Sequence, residues 1–506
     1  MAIKVAFRTD ASTLIGTGHF MRCLTLACEL KKRGVFIRFI SRNLPIHLLD
    51  MLCEKGIEHV PLSVEADPAP SDELLHAKWL GTSQAKDAHA TIEAMIDHFW
   101  DWIIVDHYSL DARWERKVRV IVKHLMVIDD LADRQHDCDV LLDQNFYSNM
   151  QSRYIEKVPN HCQLLLGPRF ALLREEFSQL HEKAKARSGD VKKILIFFGG
   201  IDANNYTSFA MEALSNVTDD IHVDVVIGSQ NPNRSQIQNS CKKYGFICHI
   251  QTTNMATLMA EADLAVCAGG TAVWERCCLG LPAISLCIAE NQRQQILDAA
   301  EIGLLYAPAM GGDLVEMIHN HTILLLENQP LLKLISKLAI NEVDGKGATR
   351  TVRAMGFQTI HVRPANHHDL HDLFQWRNHH TIRDVSINKE IILWEDHERW
   401  FAEVANATNL VLLIGEEGSR PVGVVRFDKL GNRAQVSIYI VPDSGFVGYG
   451  HNLLNRAEEW LKEYHPDIKS VRANVLGKNL KSENLFCQSG YQRHSTCFEK
   501  DLSIRK

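Results

Sequence analysis

The sequence predicts two consecutive α/β lobes, each built on a parallel sheet, followed by a smaller α+β domain. Three observations carry this. Over residues 1–165, short apolar runs of strand type alternate with stretches whose apolar residues recur at helical spacing, the pattern of strand–helix–strand units. The same alternation restarts at KKILIFFGG (192–200). From about residue 357 the composition changes, and NLVLLIG, PVGVVRFD and AQVSIYIVP follow one another as an antiparallel series of strands. At 506 residues, three domains of ordinary size are expected: 1–165, 166–345 and 357–506, with the polar, glycine-bearing stretch DGKGATRTVRAMG (344–356) as the join.

Composition narrows the function classes. The chain is 46% hydrophobic and 23% charged, with a formal net charge of −7 and its lysines and arginines scattered. A nucleic-acid partner would call for a basic face, and none is evident. The opening MAIKVAF is a core strand, and no apolar run is long enough to cross a bilayer, so a cytoplasmic protein without a membrane partner is expected. None of the 13 cysteines forms a CxxC pair, and Cys23, Cys28, Cys267, Cys277 and Cys287 lie within apolar runs, as reduced core thiols do.

The first lobe is organised around Arg8 to Arg33, a strand end, a loop and a helix. Gly16 and Gly18 let backbone approach a ligand closely. His19 falls at the helix start, where free N–H groups and the positive dipole end favour an anion and where an imidazole can serve as a general base. VFIRFI (35–40), DWIIVDHY (101–108), LMVIDD (125–130) and LLDQNFY (141–147) are further strands with polar ends. Open parallel sheets bind ligands at the carboxyl ends of their strands, which places Asp106, His107, Tyr108, Asp129 and Asp130 near the His19 loop. Asp137 and Asp139 form an Asp-x-Asp pair without the context of a metal site.

GPRFALLREEF (167–177) leads through a polar helix, SQLHEKAKARSGD, into the second lobe. Gly199 and Gly200 close its first strand, and IHVDVVIG (221–228) and ICHI (247–250) follow. In DLAVCAGGTAVWERCCLG a strand ends in Gly269, Gly270 and Thr271 and opens a helix bearing Glu275. Freed backbone N–H groups and the Thr271 hydroxyl can hold a diphosphate, and a carboxylate one turn into the helix can bind ribose hydroxyls. Glu290, Asn291 and Gln292 end the next strand on the same edge. Two sheets whose strand ends face one another make a cleft, with a nucleotide on the second lobe and the reacting group on the first, an arrangement suited to a nucleotide sugar.

In the third domain the antiparallel strands run, past Val441, into Gly445 to His451, and a helix follows. Glycines there present donors to a pyrophosphate at a helix N-terminus, and the preceding antiparallel sheet sets the unit apart from a dinucleotide-binding fold. His367 and His371 lie one helical turn apart without a third ligand and belong to a solvated helix face.

RTDASTLIGTGHFMRCLTLA, VDHY, IDDLADR, LLDQN, GPRFALLREEF, FFGGID, AGGTAVWE and ENQ together resemble the UDP-sugar hydrolases of pseudaminic acid biosynthesis over residues 1 to about 345. The resemblance implies two Rossmann-like lobes of glycosyltransferase B type. It also implies metal-free hydrolysis of UDP-2,4-diacetamido-2,4,6-trideoxy-β-L-altropyranose. The motif histidine, the base for attack of water on the anomeric carbon, matches His19. By the same match Gly269, Gly270, Thr271, Glu275, Asn291 and Gln292 face UDP, while Asp10, His107 and Tyr108 face the sugar.

Residues 357–506 resemble the GNAT acetyltransferases, with Trp376 to Asn378 and HERWF (397–401) similar to the branch that acetylates the 4-amino UDP-sugar precursor. Acetyl-CoA is the implied co-substrate. Its loop keeps the two key glycines, Gly448 and Gly450, with Gly445 in the first position, and Val441, His451 and Asn479 complete the expected cofactor set. Phe486 stands where many members carry a proton-donating tyrosine, Gln435 stands near their strand glutamate, and His397 is the remaining candidate base. Two other functions fit the first two lobes: a glycosyltransferase of the same fold, and a non-catalytic nucleotide-sugar binding protein.

Overall fold

A computed structural model describes residues 3–492 except 13, 43, 63–71, 218–219, 271, 358–359, 387, 418–419, 445–448 and 476–478. The chain divides into two compact units, Met1–Met355 and Gly356–Lys506. Among the described residues, no helix is long and apolar enough to cross a membrane.

The larger unit holds two parallel sheets. The first runs through β1 (Lys4–Thr9), β2 (Phe36–Ser41), β3 (Glu58–Pro61), β4 (Trp100–Asp106), β5 (Val122–Ile128), β6 (Val140–Asp143) and β7 (Gln163–Leu166), in the spatial order β3-β2-β1-β4-β5-β6-β7. The second contains β8 (Lys193–Phe197), β9 (His222–Ile227), β10 (Ile247–Ile250), β11 (Leu264–Ala268) and β12 (Ala283–Leu286), in the order β10-β9-β8-β11-β12. Buried on both faces, the central strands are continuous apolar runs rather than alternating ones, as in β4 and β11. Each order reverses once, between β1 and β4 and between β8 and β11, and a crevice opens at such a switch point.

Thr9 at the end of β1 pairs with Asp106 at the end of β4, so the loops after these two strands leave side by side. The helix Gly18–Lys31 buries Phe20, Cys23, Leu24, Ala27 and Leu30, an apolar stripe at helical spacing that fixes its rotation over the sheet. Trp100, Trp114 and Leu125 lie in the core of the first sheet, and Trp274, Phe177 and Ile296 in that of the second.

One sequence expectation differs from the fold. SQLHEKAKARSGD is not one helix: the helix there is Glu175–His181. Beyond it Arg187 donates to the carbonyls of Met259, Ala260, Ala262 and Leu279, satisfying helix-end acceptors that an onward helix would leave unpaired. The polar stretch 344–356 spans the division between the two units and contains the helix Gly347–Ala354, where Thr349 donates to Glu29 of the first helix.

The smaller unit is one mixed sheet of β13 (His361–Pro364), β14 (Leu410–Glu417), β15 (Arg420–Leu430), β16 (Arg433–Ile440) and β17 (Ser470–Ala473) in that order. β13 to β16 are antiparallel, as expected for the three segments NLVLLIG, PVGVVRFD and AQVSIYIVP, and β17 adds a parallel partner to β16. The crossover between them is the helix Tyr449–Tyr464, which buries Leu453, Leu454, Ala457 and Leu461 on the sheet.

Candidate functional site

His19 is in the first turn of its helix, beyond a turn in which Gly16 (φ +80°) donates its N–H to the Ser12 carbonyl at 2.8 Å. The left-handed φ is what glycine supplies there. The imidazole Nδ1 is 2.6 Å from Asp106 Oδ1. A carboxylate can only accept, so in the neutral ring Nδ1 carries the proton and the Nε2 lone pair is left to take another.

Asp106 is fully buried and held from a second side by Arg22, whose Nε and Nη2 donate to its two oxygens at 2.6 and 2.7 Å. Burial alone would raise the Asp106 carboxyl, but Arg22 and His19 outweigh it and hold it well below the usual carboxylate range. Arg22 reaches on to Asp130 at 3.0 Å, and Asp130 also accepts from the Tyr108 hydroxyl. Tyr108 packs edge-on against His19 with ring centroids 4.5 Å apart.

The other strand-end residues divide. Asp10 is paired with Arg8 and with His107 Nε2 at 3.2 Å and accepts the Arg42 N–H, while His107 Nδ1 accepts from the Ser109 N–H. These polar atoms are engaged within the lobe, and burial lowers the His107 pKa. Asp129 is paired with Arg134 at 2.9 Å. Asp143, at the end of β6, is pushed up to about 8 by burial and by the nearby Asp130 charge.

In the second lobe, Gly199 and Gly200 follow β8 and Gly269 and Gly270 follow β11, on either side of the switch point. A Cβ on Gly269 would lie 2.0 Å from Ile296 Cδ1, and one on Gly270 would lie 3.3 Å from Gln292 Nε2. Glycine at 269 is thus a packing requirement, whereas Gly270 keeps open the backbone facing Gln292. The Gln292 Oε1 is buried without a hydrogen-bond partner. Glu275 is 3.6 Å from Arg174, and burial raises its pKa. Thr271 lies outside the described residues, as does the Asn291 side chain. The Asp-x-Asp pair is tied to Arg119, and among the described residues no group of three or more His, Cys, Asp or Glu is placed to hold a metal ion.

Arg22, His76 and Trp79 join this site without a role that their sequence context spells out. Arg22 carried a signal: a cation on the buried stripe of a helix, one turn after His19, needs a carboxylate partner. His76 and Trp79 lie in a short turn with no motif, yet they pack on Tyr108 at centroid distances of 5.3 and 5.6 Å. Trp79 is 6.3 Å from His19.

In the smaller unit, Gly450 is in the first turn of the helix Tyr449–Tyr464, and Gly445 and Gly448 lie outside the described residues. Val441 donates its N–H to Val422. His451 is within hydrogen-bond distance of Ser489 and Asn455, and Asn479 caps the helix Leu480–Gln488 through Ser482 N–H. Phe486 is buried, 5.0 Å from the Tyr491 ring. His397, the candidate base, is instead a core residue: it is 2% exposed, and its Nε2 is 2.9 Å from the Leu370 carbonyl.

Residues 193–307 match the Glycosyltransferase family 28 C-terminal domain, and residues 359–492 match the Acetyltransferase (GNAT) domain. An uncharacterized protein of Methanocaldococcus jannaschii is 24% identical over 505 residues, covering 97% of each chain and therefore both units. The UDP-2,4-diacetamido-2,4,6-trideoxy-beta-L-altropyranose hydrolase of Campylobacter jejuni is 27% identical over 293 residues, 57% of this chain and 93% of that one. The structure of Acinetobacter baumannii MurG overlays with a TM-score of 0.49 at 15% identity, over 70% of this chain and 99% of that one. The chain joins a segment similar to a UDP-sugar hydrolase, built of two parallel α/β lobes, to a carboxy-terminal segment that matches the GNAT acetyltransferase domain.

Proposed function

We propose that residues 1–345 hydrolyse a UDP-sugar, UDP-2,4-diacetamido-2,4,6-trideoxy-β-L-altropyranose, and that residues 357–506 make that substrate by acetylating its 4-amino precursor from acetyl-CoA. The observation that carries the first half is the 2.6 Å contact between His19 Nδ1 and Asp106 at the β1/β4 switch point. Asp106 fixes the tautomer and stabilises the imidazolium that forms as Nε2 takes a proton. A water oxygen attacks the anomeric carbon, the bond from that carbon to the UDP oxygen breaks, UDP leaves with the electron pair, and the water proton passes to His19. Attack opposite the leaving group inverts the anomeric centre.

UDP is assigned to the second lobe, with Gly269, Gly270 and Thr271 at the diphosphate and Glu275 at the ribose. The orphaned Gln292 oxygen beside Gly270 supports a polar ligand there. Asn291 belongs to the same edge. Gly16, Gly18, Tyr108, Asp10 and His107 are assigned to the sugar side, with Asp10 fixed there by Arg8.

The match of residues 193–307 to a glycosyltransferase domain favours one competing function, transfer of the sugar to an acceptor. Incubation with the nucleotide sugar alone separates the two: a hydrolase releases UDP without an acceptor, and a transferase does not.

In the GNAT domain, acetyl-CoA is assigned to the loop from Val441 to His451, including Gly448 and Gly450, with Asn479 alongside. The acetyl carbonyl carbon forms a bond to the neutral 4-amino nitrogen, the thioester carbon–sulfur bond breaks, and the amine's surplus proton passes to solvent as the CoA thiolate leaves. Phe486 cannot protonate that thiolate, so another group or water does. Mass spectrometry of the product formed from the 4-amino UDP-sugar plus acetyl-CoA tests both halves: the fully acetylated free sugar is expected.

A further inference from the structure

The helix that carries Glu275 also carries Trp274, a fully buried side chain in the core of the second lobe. Its indole N–H donates 2.9 Å across to Asn145 Oδ1, in the loop that follows β6 in the first lobe. An indole can only donate, so this contact fixes the orientation of the Asn145 amide and turns Nδ2 toward Asp130, 3.2 Å from its Oδ2.

From Asp130 the chain of contacts continues to Arg22 at 3.0 Å, from Arg22 to both oxygens of Asp106, and from Asp106 to His19 Nδ1 at 2.6 Å. Trp274, Asn145, Asp130, Arg22, Asp106 and His19 are each no more than 8% exposed. Water therefore does not compete readily for these bonds. Each member takes its orientation from the one before, and buried networks of this kind transmit a displacement from bond to bond.

We propose that Trp274 and Asn145 are positioning residues for the hydrolysis: the indole N–H of the nucleotide-binding lobe sets, through Asp130 and Arg22, the geometry of the His19–Asp106 pair in the other lobe. Neither residue touches the reacting atoms. The proposal rests on the hydrolase function for its catalytic consequence, but its structural content is independent of turnover. The second lobe thereby does more than hold the nucleotide, because the catalytic pair is aligned only while the helix Ala272–Cys278 is seated against Asn145.

The test uses the full chain with Trp274→Phe and, because that change opens a cavity in the core, the smaller change Asn145→Ser. The first readout is the proton NMR signal of the His19 Nδ1–H, identified by its disappearance in His19→Asn. The second is kcat for UDP release alongside UDP affinity by calorimetry. In both variants the signal is expected to move or broaden and kcat to fall by roughly tenfold, the scale of one weakened transition-state contact, with UDP affinity close to wild type, and in Asn145→Ser the melting temperature is expected to stay close to wild type as well. An unmoved signal with unchanged kcat in a folded Asn145→Ser chain overturns the proposal. So does global unfolding of both variants, which would make the contact structural only. If the wild-type chain releases no UDP from the nucleotide sugar, the hydrolase function falls while the imidazole signal still decides the positioning role.

Discussion

Asp106 accepts from His19 Nδ1 at 2.6 Å while Arg22 grips the same carboxylate at 2.6 and 2.7 Å, so the one buried anion serves an imidazole and a guanidinium together. His19→Asn removes the base and is expected to lower turnover by about a hundred- to ten-thousand-fold, with UDP affinity retained. Asp106→Asn keeps the shape but presents an amide that no longer favours the imidazolium, and a loss of at least about a hundredfold is expected. Single-turnover rates measured beside UDP titrations check both. Wild-type turnover in either variant contradicts the assignment.

The two glycines after β11 should respond differently. Gly269→Ala drives a methyl into Ile296 and is expected to destabilise the fold by about 1–3 kcal/mol, as overpacking does. Gly270→Val meets the end of a flexible glutamine side chain, so it should leave the melting temperature nearly unchanged and weaken UDP binding. Glu275→Ala should weaken UDP binding in the same way. Thermal melts with calorimetric UDP titrations separate the two outcomes.

Much of the fold was legible in the sequence, and the omissions share a cause. The strands with long apolar runs were evident, whereas β3, β7, β13 and β17 were not singled out. These are EHVP, QLLL, HVRP and SVRA, four residues each, at the outer edges of the first and third sheets. Strands of four residues at a sheet edge are too short to carry a periodic signal, and shortness is itself one way of blunting an open edge. The site was legible in kind but not in pairing. His19 stood out by its glycine loop, but only the strand order brings Asp106, 87 residues away, to its Nδ1. Nothing in the polar stretch around His76 and Trp79 marks them as neighbours of that histidine.

Stability should fall as the solution becomes alkaline. Burial alone would lower the His136 pKa, but Glu115 and Asp129 outweigh it and hold the imidazolium at about 9; burial lifts the Asp143 carboxyl to about 8. Both groups bind a proton more tightly folded than unfolded. Their stabilisation is therefore full below the unfolded values, near 6.5 for His136 and 3.8 for Asp143, and is lost as pH rises through about 9 and about 8. Hydrogen exchange of peptides spanning 122–145 should become faster from pH 6 to pH 9.5 after correction for the intrinsic rate. Asp143→Asn should flatten the part of that dependence below pH 8. A flat profile in the wild type contradicts the two raised values.

The two activities should be separable by single changes. Gly450→Val places a branched side chain in the first helical turn against Leu485, where even a Cβ would be 3.3 Å from Cδ1, and is expected to abolish acetyl transfer while hydrolysis of preacetylated substrate continues. His19→Asn should do the reverse and accumulate the acetylated UDP-sugar. Mass spectra of the products of each variant distinguish the cases, and loss of both activities in either one contradicts the division of labour.

The central claim, that His19 directs water to the anomeric carbon, is tested most directly by incubating the chain with the diacetamido UDP-sugar in heavy-oxygen water without any acceptor. UDP carrying no heavy oxygen is expected, because the carbon–oxygen bond is the one that breaks, together with a first-formed sugar of inverted configuration, and both products should be lost in His19→Asn. UDP release that requires an acceptor, heavy oxygen in the UDP, or an undiminished rate in His19→Asn would contradict it.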